Sequence, residues 1–387
     1  MILTATVLLQ CLMSFAIFAP LVMAPAVLDT LGIPSNWVGL YAPFAFGCAI
    51  IGSIFSGTLL SYVSPWRLSL ACLAFAALGI SVFGLETRLA VAAGAMIMGL
   101  SYGPITAAGS SIVAHATPGN LGLSMSIRQA GVPLGTSLAG FLVPPLIQSF
   151  GWPGACVLMG AALIVMAILL ALLSPLAAWE GMRKRTSAPS GGFRPFRLVF
   201  SSPRLQLLAF VLVFFGALQN CFASFLSVYL VNHVGTDLVF AGVVLGLSHG
   251  LGMFTRILWG ALADRLGARR ILGLLGISMA IASALMGLLQ PGASTLVLVA
   301  VVAAFGTSVT GWNGVAIAQA TRQVPPGLAG AVAGEIAVFA YIGFIAGPPL
   351  FAFVAGALDI QRAFILAGGI CAAATVVFLL GERKRPT

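Results

Sequence analysis

Long unbroken apolar runs alternate with short polar punctuation along this chain. Twelve such runs, at roughly 4–28, 36–61, 68–85, 89–114, 121–147, 153–177, 205–231, 237–262, 270–289, 294–318, 327–353 and 362–380, come near the ~20 residues that a helix needs to cross the hydrocarbon core of a bilayer. Backbone groups inside a bilayer must be satisfied within the protein, which leaves only helices or a closed barrel, and a barrel strand alternates polar and apolar residues. The runs here do not alternate. The pattern predicts an all-α membrane protein of twelve transmembrane helices.

Six runs fall on each side of a segment that is basic and rich in Gly, Pro and Ser, Ala178-Trp179-Glu180-Gly181-Met182-Arg183-Lys184-Arg185 through Pro189, Gly191, Gly192 and Pro195. Such composition marks a solvated linker. The expected organisation is a six-helix bundle over 1–177, a cytoplasmic linker over 178–204, a second six-helix bundle over 205–381 and a short cytoplasmic tail over 382–387. A partial repeat joins the two halves. Gly260-Ala-Leu-Ala-Asp264-Arg265-Leu-Gly267-Ala-Arg269-Arg270 has a near-copy 203 residues upstream, from Gly57 to Arg67, with Ser61 standing where the second copy has Asp264. The two bundles are therefore expected to be pseudo-symmetric.

Composition changes the picture little but fixes the orientation. Apolar residues make up 60% and charged residues 7% of the chain, too few charges to cover a soluble surface. With both termini cytoplasmic, 14 of the 18 Lys and Arg residues lie on the inner side, and only Arg88 and Arg362 lie outside, as expected where cationic loops resist translocation. The net charge of +10 is then topological, and nucleic acid is excluded as a partner because no soluble basic face exists to bind it. Asp29, Glu86, Asp237 and Asp359 fall in the outer loops. The start, Met1-Ile-Leu-Thr, has no basic leader, so the first run reads as a retained helix. Cys11, Cys48, Cys72, Cys156, Cys221 and Cys371 all lie inside apolar runs without metal-ligand spacing, and read as small packing residues. The expected setting is the inner membrane of a bacterial-type cell, occupied by a multi-pass monomer.

The Gly260-x-x-x-Asp264-Arg265-x-Gly267-x-Arg269-Arg270 run resembles the signature loop of the major facilitator superfamily, and the six-plus-six layout is similar to that family along the whole chain. The resemblance implies a transporter whose two halves rock about a central cavity, with Gly260, Asp264, Arg265, Gly267 and Arg270 bracing the cytoplasmic gate. Ser61 departs from the pattern, so the first copy cannot supply the charge that Asp264 brings to the second. Gly131-x-Pro133-x-Gly135 loosely resembles the family's antiporter motif. The Arg256-x-x-x-Gly260-x-x-x-Asp264 spacing is similar to the eighth helix of the oxalate/formate antiporter and monocarboxylate transporter branches, in which the matching arginine contacts the substrate carboxylate.

The chemistry must come from the few ionisable residues inside the runs. Each costs roughly 2.5–3.5 kcal/mol at a helix centre and is a functional candidate for that reason. They are Arg128, His249, Arg256 and Glu335. A guanidinium stays charged and can fork two N–H donors onto a carboxylate, so Arg256 and Arg128, with Gln129 beside it, are the expected substrate-binding residues. The alternative for Arg256 is a structural brace to Asp264 or Glu335. Glu335 is the one acid inside a run and the first candidate for proton coupling, with His249 second; a permanent salt bridge or a packed histidine are the competing readings. Aligning Pro118-x-x-Leu121 with Pro325-x-x-Leu328 sets Arg128 opposite Glu335 in the repeat. Tyr41, Tyr102, Asn220, Trp312, Asn313 and Tyr341 are candidates to complete a substrate pocket, and each could equally join helices.

No phosphate-cradling Gly-x-x-x-x-Gly-Lys-Ser/Thr pattern occurs, and His115, His233 and His249 lie apart along the chain, so neither a nucleotide, a metal nor another cofactor is implied and the chain reads as no enzyme. The expected function is secondary active transport of a small organic anion, a carboxylate, by alternating access and with possible proton coupling. The alternative is proton-antiport efflux of multiple drugs, which for cations needs acids in the membrane, where this chain has two arginines to one acid.

Overall fold

The computed structural model describes residues 2–116, 127–173, 199–200, 202–323 and 329–383. Among them all regular structure is helical. Five helices precede the connector: α1 (Ile2–Leu31), α2 (Tyr41–Tyr62), α3 (Pro65–Phe83), α4 (Arg88–Ala116) and α5 (Gly131–Leu173). Six follow it: α6 (Pro203–Tyr229), α7 (Leu238–Leu266), α8 (Ala268–Leu288), α9 (Thr295–Thr321), α10 (Ala329–Ala357) and α11 (Ile360–Arg383). Ten helical stretches among the described residues are long and apolar enough to cross a membrane, and large apolar side chains such as Phe55, Leu172 and Phe353 point outward. The protein is a multi-pass membrane protein.

Helix α5 shows how local chemistry divides a continuous apolar pattern. Its 43 residues would measure roughly 65 Å as one rod, about twice the hydrocarbon thickness. It is broken at Gly151, whose φ of 69° and ψ of 166° lie in a region that essentially only glycine occupies. Pro153 follows at the start of the second limb.

Polar residues at helix starts explain several of the other boundaries. Ser64 before Pro65 accepts the Arg67 N–H, Ser202 before Pro203 accepts the Leu205 N–H, and Ser294 accepts the Val297 N–H, each a hydroxyl satisfying one of the orphan donors of a first turn. Asp237 and Asp359, expected only as outer-loop acids, do the same for Phe240 and Arg362 at 2.9 and 2.6 Å.

The second run was expected to be helical from residue 36, but α2 begins at Tyr41. Pro34 is extended, and Ser35–Leu40 instead forms a 3-10 turn. The chain as a whole packs into two compact units, Met1–Ile33 with Pro43–Gly192 and Pro34–Ala42 with Phe193–Thr387, so this turn belongs by packing to the second. It sits on α10, where a Cβ on Gly39 would lie 2.6 Å from the Pro348 carbonyl oxygen and 2.8 Å from the Ala352 Cβ. Residues 121–126, the first part of the fifth run, and 178–198 of the linker expected over 178–204 lie outside the described residues, while Pro203 and Arg204 already belong to α6.

Without a hydrophobic force between helices in lipid, close packing rests on small residues, and each unit uses glycines in this way. In the first, Gly131 and Gly135 of α5 lie on the α1 backbone at Val7 and Cys11; in the second, Gly343 and Gly347 of α10 lie on the α6 backbone at Val213 and Ala217. The Gly131-x-Pro133-x-Gly135 motif thus closes a helix pair. A Cβ on Gly135 would run into the Cys11 carbonyl oxygen, whereas a Cβ on Gly47 meets nothing within 4 Å. Gly135→Ala is therefore expected to lower the melting temperature of the purified protein, by overpacking worth about 1–3 kcal/mol. Gly47→Ala, with only helix propensity to gain, should leave it unchanged or higher.

Candidate functional site

In the first unit the chemistry gathers around Arg128. Ile127 to Gln129 form a helical turn just before α5, and the guanidinium points inward, leaving Arg128 only 2% exposed. Its Nη1 donates to Gln10 Oε1 of α1 at 2.8 Å. Gly109 of α4 forms the floor, since a Cβ there would sit 2.8 Å from the same Nη1. Gln10 continues to Ser14, whose Oγ lies 3.5 Å from Nε2, and Thr6, Gln10 and Ser14 are buried at four-residue spacing on one face of an otherwise apolar α1. Gln129 is half-buried next to the arginine. Tyr102 is half-buried with its ring edge-on to Phe46 at 6.4 Å.

Arg256 belongs to the α7–α9 interface of the second unit. Its Nε donates to the Thr310 carbonyl oxygen at 3.1 Å, an anchor at the root of the fork. The same seam holds Thr255, which donates to the Thr307 carbonyl at 3.4 Å, and Gly252, where a Cβ would strike the Thr310 side chain. Two turns back along α7, His249 is buried, stacked on Phe222 at 5.8 Å, and its Nδ1 lies 3.2 Å from the Leu245 carbonyl. A carbonyl only accepts, so that contact puts the neutral ring's proton on Nδ1. These are the contacts of a packed, hydrogen-bonded histidine.

Glu335 is half-buried on α10 and accepts the Val199 backbone N–H through Oε2 at 2.9 Å. Val199 is fully buried, and the Phe200 ring after it meets Phe339 edge-on at 6.4 Å. The acid therefore clasps the chain where it enters α6. The glycine contacts also revise the repeat: matching Gly131 on Val7 with Gly343 on Val213, and Gly135 on Cys11 with Gly347 on Ala217, equates Arg128 with Ala340 and places Glu335 five residues earlier. The Pro118 and Pro325 anchors lie toward the connections, where length differences are tolerated.

Of the remaining candidates, Asn220 bridges helices, donating from Nδ2 to the Phe344 carbonyl at 2.7 Å. Tyr341 packs on Phe344 at 5.8 Å, Trp312 on Phe215 at 6.1 Å, Asn313 is half-buried beside it, and Tyr41 is buried at the start of α2. In the charged turn, Gly267 has a φ of 90° and is the one residue between α7 and α8. Arg265 and Arg270 are exposed, Gly260 is half-buried, and Arg269 Nη2 donates to the Leu379 carbonyl of α11. The side chains of Asp264 and of its counterpart Ser61 lie outside the described residues.

Residues 6–348 match the profile of the Major Facilitator Superfamily. The chain belongs to that superfamily. An uncharacterized MFS-type transporter of Mycobacterium tuberculosis is 26% identical over 354 residues, 90% of this chain and 77% of that protein. A probable nitrate transporter of Staphylococcus haemolyticus is 27% identical over 180 residues, 46% of this chain and 44% of its own, and the multidrug resistance protein MdtG of Dickeya zeae is 29% identical over 180 residues, 45% and 43%. A bacterial homolog of the human lysosomal transporter Spinster shares the fold, with a TM-score of 0.82 at 16% identity over 99% of this chain and 96% of that one. As a superfamily member the chain is a transporter of a small molecule and not an enzyme.

Proposed function

We propose that this transporter moves a small organic anion, a carboxylate, by alternating access, as a monomer in a bacterial-type plasma membrane with both termini cytoplasmic. Twelve spans follow if α2 is counted with the ten apolar stretches and if the two limbs of α5 each cross once, giving six-helix halves over 1–177 and 205–381 around a linker over 178–204.

One observation carries the substrate class: a guanidinium only 2% exposed, held by the neutral oxygen of Gln10. A guanidinium buried this deeply needs oxygen acceptors around it, and a substrate oxyanion can serve as one of them. The nitrate transporter among the relatives supports this reading, because nitrate, like a carboxylate, is a planar oxyanion. Arg256, tethered at Nε, is the second anion-binding group; Gln129, Tyr41, Tyr102, Asn313 and Tyr341 are lining candidates, and Asn220 bridges α6 and α10. Glu335 is the coupling acid, with His249 second.

The relative named as a multidrug resistance protein favours a second reading, proton-driven efflux of drugs; a buried arginine repels cationic drugs, which ranks it lower. Uptake into proteoliposomes of labelled formate, acetate, oxalate and nitrate decides between them. Saturable uptake of at least one anion is expected, and transport of cationic dyes with none of the anions would overturn the proposal. In the same assay Arg256→Lys should lose most of the transport at normal insertion, since an ammonium keeps the charge but not the fork.

A further inference from the structure

Asn220 meets α10 at a point where that helix cannot close its own hydrogen-bond ladder. Proline has no N–H, so the carbonyl four residues before it in a helix loses its donor. Pro348 and Pro349 stand side by side within α10. Pro348 removes the donor that the Phe344 carbonyl would meet four residues on, and Pro349 removes the one five residues on. The amide of Asn220, only 3% exposed on α6, takes that place, with Nδ2 donating to the Phe344 carbonyl oxygen at 2.7 Å. A carbonyl only accepts, so the amide atom facing it is the nitrogen.

The first unit shows the same helix pair without the proline. The glycine contacts equate α5 with α10 and α1 with α6, which sets Thr136 where α10 has Pro348 and Ser14 where α6 has Asn220. Thr136 keeps its N–H, and its hydroxyl also donates at 3.1 Å to the Val132 carbonyl, the equivalent of Phe344. Where the backbone donor is present, the partner helix carries a short hydroxyl; where proline removes it, the partner carries an amide. Close packing of the pair is therefore not what calls for Asn220.

We propose that Pro348 and Asn220 form a hinge in α10, with Asn220 as its pin. The amide supplies the donor that Pro348 lacks, so α10 bends there without leaving a carbonyl bare in the membrane. The bend separates two loads. Before it lie Tyr341 and Glu335, which holds the Val199 N–H. At and beyond it lies the seat of the Ser35–Leu40 turn, where Gly39 rests on Pro348 and Ala352. During transport the Glu335 end of α10 swings while the turn keeps its seat, whatever the charge of the substrate.

Melting temperatures of the purified full chain are compared for wild type, Asn220→Leu, Pro348→Ala and the double variant. Leucine keeps the size of the amide and cannot donate. Asn220→Leu should lower the melting temperature by about 2–4 °C when Pro348 is present. In the Pro348→Ala background, where a backbone N–H returns, the drop should be much smaller, and an equal drop in both backgrounds would overturn the pin. Motion is read from pairs of spin labels on cysteines introduced at Val338 and Phe353, the six native cysteines being buried. These sites lie ~22 Å apart along a straight helix. Wild type should give a broad or divided distance distribution and Pro348→Ala a narrow one. A distribution in wild type as narrow as that of Pro348→Ala would overturn the hinge. Should Asn220→Leu not fold, recovery of folding in the double variant upholds the pin, and a double variant that still fails beside a folded Pro348→Ala overturns it.

Discussion

Arg128→Lys is expected to cut the initial rate of anion uptake about 100-fold while the protein still inserts and purifies normally. Lysine keeps the charge and much of the length, so the loss isolates geometry. The planar fork that reaches Gln10 Oε1 over the Gly109 floor is replaced by a point charge that cannot hold two oxygens of a carboxylate at once. Losing one or two charge-assisted hydrogen bonds, each worth about 1.5–3 kcal/mol, accounts for that size. Rates in proteoliposomes, normalised to inserted protein, are the measurement. A variant within a factor of two of wild type would leave Arg128 a structural residue and remove the main support for an anionic substrate.

Glu335→Gln should divide transport in a different way. Glutamine retains an oxygen that can accept the Val199 N–H now held at 2.9 Å, so the entry to α6 stays clasped, but it can no longer take up or release a proton. Accumulation driven by an imposed pH gradient should disappear, and exchange of labelled for unlabelled substrate, which moves no net proton, should persist. Concentrative uptake surviving in this variant would reduce Glu335 to its clasp and pass coupling to His249 or to an exchange of anions. Loss of both activities together would point to the clasp itself as the essential feature.

The helices were legible in the sequence because a bilayer enforces them: a run of some twenty apolar residues has no other way to satisfy its backbone. The family too was legible, from the charged turn at Gly260–Arg270. What escaped was contact between residues far apart in the chain. Gln10 drew no reading at all, because its partner lies 118 residues away. Ser35–Leu40 looked like the start of a span because its sequence does not reveal that it rests on α10. The register of the repeat was set from prolines near the connections, whereas the packing glycines fix it five residues differently. Asn220 and His249 were legible as polar residues in apolar helices, but only the backbone carbonyls that they meet show how they are held.

The single residue between α7 and α8 bears on how force travels through the second unit. A turn of one glycine has no slack, so the two helices cannot slide past each other lengthwise without unwinding an end. Arg269, one residue into α8's first turn, donates to the Leu379 carbonyl of α11. Three helices are thereby linked in series like the arms of a lever. A displacement of α7 is passed through Gly267 to α8 and onward to α11, and the charged turn is the stiff elbow of that lever.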